Sequence, residues 1–246
     1  MSEPPAATRS SAAGTLSEPQ VRAMFDRIAR VYDRMNSVMT AGMHHRWRER
    51  AAELAGVHAG GRALDVATGT GDLALALKRR VGPDGEVVGV DFSERMLDIA
   101  REKAPDVRFE TGNALELRFR DEEFDATTVG FGARNFSDLR RGLAEMIRVT
   151  RPGGRVVVLE ITTPERPPLS SFFGLWFDRA VPALGRLAGD PDAYKYLPSS
   201  VRRFPGPRAL AAELAGLGLP RVRYLITAGG IIAVHAGTVP ERASAS

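Results

Sequence analysis

The sequence predicts an α/β fold, and three observations carry that prediction. From residue 62 to residue 161, short apolar runs alternate with segments of helical periodicity, the pattern of a parallel sheet covered by helices. The first of those runs ends in "LDVATGTGDLA", 64–74, a glycine-rich turn in which a strand swings sharply into a helix. The last two, "RVRYLIT" and "IIAVHAG", flank "AGG", the spacing of an antiparallel hairpin.

Taken in order, "MSEPPAATRSSAAGTLSE", 1–18, is small, polar and proline-bearing, and is expected to be a disordered tail. Structure should begin near Pro19, where Met24, Ile28, Val31 and Met35 form one helical face. A second helix, "HHRWRERAAELAG", should stop at Gly56, and the two make a helical cap over about 19–56. Strand "RALDVA" leads into a helix over 71–81, and "GPDG" turns into strand "EVVGVDF". The next helix, 93–104, has Ser93 as its N-cap. "DVRFETGN" and "FDATTVGFG" are strands three and four, followed by "ARNFSD" and an amphipathic helix over 139–150. "RPGG" reads as a turn, and "RVVVLEI" as an apolar central strand. An insertion over about 163–206 begins with a helix and loop, "PERPPLSSFFGLWFDRAVPALGRLAG". A helix over 205–219 carries Pro207 in its first turn and precedes the hairpin, and 239–246 is a second disordered tail. The expected whole is a single domain, 19–238, with a Rossmann-like sheet of seven mostly parallel strands and helices on both faces.

Composition narrows the chemistry. The chain has no cysteine, which removes disulfides, iron–sulfur clusters and thiolate zinc sites. His44, His45, His58 and His235 have no metal-ligand spacing and read as surface or capping residues, so no metal is expected. A formal charge of +4 is too small to argue for nucleic acid, though a basic face toward anionic lipid stays open. There is neither a run of 18 apolar residues nor a signal-peptide centre, and the expectation is a cytoplasmic protein.

Gly69-x-Gly71-x-x-Ala74 with Asp91 downstream fits either a dinucleotide or S-adenosylmethionine (SAM). Glycines at 69 and 71 let the backbone approach the ligand closely. Asp65 favours SAM, because a pyrophosphate binder keeps only apolar residues at that point in strand one, whereas SAM brings an ammonium for an anion to hold. The plainer reading of Asp65 is an N-cap or a buried acid satisfied by loop amides. Asp91 can accept both ribose hydroxyls, and Asn113 with Ala114 either meets the adenine or forms an ordinary turn. A nicotinamide oxidoreductase is disfavoured because no Tyr-x-x-x-Lys occurs. The ensemble of Asp65, the glycine loop, Asp91, 112–114 and the "RPGGR" turn selects SAM, and with it a class I SAM-methyltransferase fold.

Four stretches make the chain resemble the UbiE/MenG family of quinone-pathway C-methyltransferases over about 21–237. They are "MFDRIARVYDRMN" with "HHRWR", "LDVATGTGDLA" with "GVDFSERML", "GFGARNFSD", and "YKYLPSSVRRFP" with "GGIIAVHAG". The resemblance implies that Thr70, Asp91 and the Asn113–Ala114 pair contact SAM. It also implies methyl transfer to a ring carbon of a prenylated quinol, giving menaquinol from demethylmenaquinol; some relatives also methylate the benzoquinol of the ubiquinone pathway. This chain departs from some members at Gly130, where they carry a serine, and at Asn113, where many carry aspartate.

For catalysis the expectation falls on Arg134, to stabilise a developing phenolate, and Asn135, to orient the acceptor hydroxyl or a water. A structural ion pair is the alternative for Arg134. Tyr32 either closes over the cofactor or is a core tyrosine. Phe172, Phe173, Trp176, Phe177 and Val181 can line a path for the prenyl tail, touch the inner face of the cell membrane, or simply pack. The oligomeric state is left open, a homodimer included.

Overall fold

The computed structural model describes residues 16–164, 167, 169–175, 179 and 191–241. In chain order the elements are α1 (Glu18–Thr40), α2 (Met43–Ala55), β1 (Arg62–Val66), α3 (Asp72–Val81), β2 (Glu86–Asp91), α4 (Glu94–Lys103), β3 (Arg108–Thr111) and β4 (Phe124–Gly130). There follow a 3-10 turn (Ala133–Asn135), α5 (Leu139–Val149), β5 (Thr150–Ile161), α6 (Leu169–Leu175), α7 (Pro191–Arg203), α8 (Pro207–Gly216), β6 (Arg223–Thr227) and β7 (Ile232–Thr238).

The seven strands lie in the order β3-β2-β1-β4-β5-β7-β6. The first five run parallel, and β7 pairs antiparallel with both β5 and β6. The order reverses beside β1, so the carboxyl ends of β1 and β4 open a crevice there, where open α/β sheets bind ligands. One face of the sheet is covered by α2, α3 and α4, through Ala51, Leu77 and Leu97. The other is covered by α5 and α8, through Leu143, Met146, Leu210 and Leu214. Helix α1 packs as a separate layer, with Val21, Met24 and Ile28 against Met96 of α4.

Local chemistry explains the boundaries. Ser93 caps α4 as expected, its hydroxyl accepting from the Met96 N–H at 3.3 Å. Asp138 caps α5 in the same way, accepting from Arg141 N–H at 2.9 Å. Gly56 ends α2 in the left-handed region at φ 63°.

The structure corrects several expectations. The "RPGG" segment is not a free turn: β5 starts at Thr150, and its pairing with β4 steps from Phe124↔Thr150 to Ala126↔Arg155, a bulge with Gly153 at φ 77°. The amide of Gly153 bonds the Val239 carbonyl at 2.9 Å, so the segment stays in the sheet. Strand five is also not wholly apolar, because Glu160 lies in it at 1% exposure. His44 and His235 are buried rather than superficial. His235 is held by Nε2 to the Pro207 carbonyl at 2.8 Å, and burial lowers its pKa. The insertion contains α6 and a second helix, α7, in a stretch that gave no helical expectation. Of the expected tails, 1–15 and 242–246 lie outside the described residues, whereas Glu18 opens α1 and Val239 is bonded to Gly153 and Gly154 at 2.9 Å each. The aromatic positions 176, 177 and 181 and the Phe172 side chain also lie outside the described residues. Among the described residues no helix is long and apolar enough to cross a membrane.

Candidate active site

Two adjoining cavities sit at the carboxyl end of the sheet. The first is a cleft formed by the glycine loop, the ends of β1, β2 and β4, and α1. Gly69 stands at φ 56° and lines the cleft. Gly71, at φ 81°, does not line it: a Cβ there would lie 3.0 Å from Ala100 Cβ and 3.0 Å from Phe109, so this glycine serves close helix packing instead. Ala67 and Phe131, at the ends of β1 and β4, also take positive φ (52° and 63°) beside the cleft. Such strained non-glycine backbone persists where the surroundings enforce it, commonly at functional sites.

Two buried carboxylates form the floor. Asp91 accepts the Gly69 N–H at 2.8 Å on one oxygen and the Ser93 N–H at 2.9 Å on the other. Burial pushes its pKa up to about 6 despite those donors. Asp65 is held between the hydroxyls of Thr68 and Thr128, each at 2.6 Å, and burial again raises its pKa to about 6. It is satisfied by hydroxyls, not loop amides, and still lines the cleft. Each carboxylate retains lone pairs for a ligand.

The remaining expected contacts are tied to α1. Thr70 donates to Asp33 at 2.6 Å, and Lys103 donates to the other Asp33 oxygen at 2.8 Å. Asn113 is exposed; it donates to Glu18 at 2.9 Å and accepts from the Leu115 N–H at 2.9 Å, which closes a turn. Ala114 lines the cleft beside it. At the bare Gly130 a Cβ would stand 3.0 Å from Leu73 Cδ2, so a side chain there requires Leu73 to shift by a few tenths of an ångström.

The second cavity is an apolar chamber of about 360 Å³. Its walls include Met24, Met35, Met39, Trp47, Phe173 and Ile231, which come from α1, α2, α6 and the β6–β7 connection. Phe25, Tyr32, Arg48, Phe131 and Asn135 line both cavities and form their junction. Tyr32 packs edge-on against Phe25 at 6.1 Å.

Arg134 lines the chamber and not the cleft. Its Nη1 donates to Glu160 at 2.6 Å, while its Nε has no partner. The ion pair weighed as its alternative role is present, and it largely neutralises the guanidinium. The buried Oδ1 of Asn135 has no hydrogen-bond partner, which leaves an acceptor at the junction.

Sequence reasoning missed Arg48, Asp33, Glu160 and Tyr196, the last of which lines the chamber from α7. A lone acid within "RVVVLEI" signalled a buried charge, and Arg48 stood in a quoted stretch with no role attached. His44, buried beside Arg48, has its pKa lowered to about 4 by burial first and Arg48 second. The ligand atoms of His44, His45 and Asp72 lie within 4.8 Å of one another, but Lys103 and Arg48 already neutralise Asp72.

Known proteins match this chain in sequence and in fold. The model of the ubiE/COQ5 methyltransferase family matches residues 14–239. A demethylmenaquinone methyltransferase of Thermus thermophilus is 48% identical over 222 residues, covering 88% of this chain and 100% of its own. Proteins of the same name from Deinococcus radiodurans and Staphylococcus aureus are 46% and 41% identical, with 91% and 92% of their lengths covered. The crystal structure of a SAM-dependent methyltransferase of Thermotoga maritima matches with a TM-score of 0.63 at 22% identity, over 88% of this chain and 98% of that one. One from Aquifex aeolicus gives 0.57 at 20% identity, over 78% and 89%, and both share the fold. The chain belongs to the ubiE/COQ5 methyltransferase family.

Proposed function

We propose that the protein is a SAM-dependent C-methyltransferase that converts demethylmenaquinol to menaquinol. The observation that carries this reading is the apolar chamber opening onto the carboxylate-floored cleft at Tyr32, Arg48, Phe131 and Asn135. A hydrophilic methyl donor and an apolar ring with a prenyl tail need two such compartments in contact.

The cleft suits SAM by its donor and acceptor set. Asp91 takes the ribose hydroxyls, Asp65 takes the ammonium, and Gly69, Thr70, Asn113 and Ala114 complete the wall. Bound there, SAM supplies an electrophilic methyl group. The protein's own residues do the rest by orientation and exclusion of water. Phe131 and Tyr32 confine the junction. Asn135 accepts a hydrogen bond from the ring hydroxyl or orients a water beside it, aligning the adjacent carbon, and water takes the proton released as the carbon–methyl bond forms and the sulfonium leaves as the thioether. Arg134, fixed by Glu160, contributes a partly compensated positive field rather than a full charge. The tail extends among Met35, Met39 and Phe173. Because the substrate partitions into lipid, the chain collects it at the inner membrane face.

The test is transfer from isotope-labelled SAM to demethylmenaquinol in detergent, with the ubiquinone-pathway benzoquinol alongside. Labelled menaquinol supports the reading, and SAM binding without transfer to either quinol defeats it. Asn135→Leu should lower kcat while leaving affinity for the product S-adenosylhomocysteine (SAH) unchanged.

A further inference from the structure

The cleft lining contains four carboxylates, Glu18, Asp65, Asp72 and Asp91, and among the described residues a single cation, Arg48. This arginine projects from α2 and is 6% exposed. Its Nη1 meets the ring Nδ1 of His44 and, at 3.4 Å, the His44 carbonyl. Asp72 comes no closer than 3.7 Å, beyond hydrogen-bond distance, and is bonded to Lys103 instead. The Arg48 guanidinium also lies 5.2 Å from the centre of the Phe131 ring. A buried guanidinium presents five donors in a planar fork whose natural complement is a carboxylate. Arg134 has one in Glu160, at 2.6 Å. Arg48 has only the ion pair with Asp72, at 3.7 Å, made without a hydrogen bond and shared with Lys103, and it faces a ligand cavity.

Its place in the cleft identifies the ligand group. Arg48 lies against Phe131, just past β4, which neighbours β1 and Asp65, while Asn113 and Ala114 follow β3 on the far side of β2. SAM has its adenine at one end and an amino acid at the other, and it carries one negative charge, the α-carboxylate. We propose that Arg48 binds the α-carboxylate of the methionine moiety, opposite Asp65, which receives the ammonium. The assignment rests on the reading of SAM as the donor. Two opposite charges, each met by a buried partner, fix the amino-acid end, and so the sulfonium, against the junction.

The experiment compares three ligands by calorimetry on the full chain: SAH, its decarboxylated analogue, and methylthioadenosine, which lacks the amino acid altogether. The wild type should prefer SAH over the decarboxylated analogue by about tenfold or more. Arg48→Met should reduce that preference to within about twofold and leave methylthioadenosine binding unchanged, which also certifies the fold. Arg48→Lys should fall between, and it carries the same comparison if the methionine variant does not fold. An unchanged preference in Arg48→Met, or an equal weakening of SAH and its analogue, overturns the assignment. A fall in kcat with the preference intact also overturns it, by placing Arg48 on the quinol oxygen. Failure of the wild type to bind any of the three removes the SAM reading itself, and the assignment with it.

Discussion

The cleft and the chamber share five residues, yet they are built on opposite principles. The cleft wall is a set of polar groups that hold one another: Asp91 on two backbone amides, Asp65 on two hydroxyls, Thr70 on Asp33. The chamber is lined by methionine, isoleucine and aromatic side chains, with one buried ion pair, Arg134–Glu160, set into its wall. A network of short hydrogen bonds fixes a charged ligand in one pose. A methionine-rich wall adapts to a long, featureless tail. Damage to one region should therefore be readable separately from damage to the other.

The largest expected effect is on the chamber. Glu160→Ala leaves Arg134 buried without its counter-charge, and removing one partner of such a pair costs about 3–5 kcal/mol. Urea unfolding should show that loss, while SAH affinity measured on the folded variant stays within about twofold of wild type. Replacing both partners, Arg134→Met with Glu160→Met, should recover most of the stability. A large loss of SAH binding in Glu160→Ala would break the claimed independence. Next in size is Asp91→Ala, which removes the ribose acceptor and orphans the Gly69 and Ser93 amides. SAH should bind about a hundredfold more weakly, with the KM for demethylmenaquinol unchanged.

The same contrast explains what the sequence made legible. The cleft is written in local turn chemistry: a glycine at φ > 0, an aspartate at a strand end and a serine cap each have a signature within a few residues. Asp65, Asp91 and Ser93 were readable for that reason. Gly71, at φ 81°, was legible as part of that turn, but its second constraint, the close approach of Ala100 and Phe109 some thirty to forty positions on, is encoded by no turn signature. The chamber exists only because α1, α2, α6, α7 and the β6–β7 connection converge. Tyr196 lay in a stretch with a proline inside its helix, Pro198, which masks helical periodicity. Arg48, which carried no role in the sequence, is buried through its contacts with His44, Asp72 and the Phe131 ring, which only the fold brings together.

The pH dependence should separate the regions again. Asp65 and Asp91 have pKa values raised to about 6 by burial, and a cationic or hydroxyl-donating ligand requires them ionised. SAH affinity should therefore fall by at least about tenfold between pH 7 and pH 5, with proton uptake visible on ligand release. Stability of the empty protein should respond with the opposite sign. Between about pH 4 and 6 the folded state keeps protons that the unfolded state has lost, so the contribution of these two groups grows as pH falls through 6. Asp91→Asn should flatten part of both curves. Binding of a quinol analogue to the chamber should show no such transition, and a matching one would show that the cleft carboxylates control the chamber.

The smallest effect tests where independence ends. Helix α1 contributes Met24, Ile28 and Met35 to the chamber, and its Asp33 receives the Thr70 hydroxyl from the cleft loop. Thr70→Val removes that bond, but Lys103 still holds Asp33. The loss should be about 1.5 kcal/mol, the low end for a hydrogen bond to a charged carboxylate, since Asp33 is partly exposed. Because the helix carries part of both walls, the KM values for SAM and for demethylmenaquinol should rise together, each by about threefold. A rise confined to SAM would mean that the bond acts only within the loop, and that α1 is held by Glu18 at one end and by its apolar face against Met96. The two cavities would then be separable down to single hydrogen bonds, rather than joined through the helix that covers them.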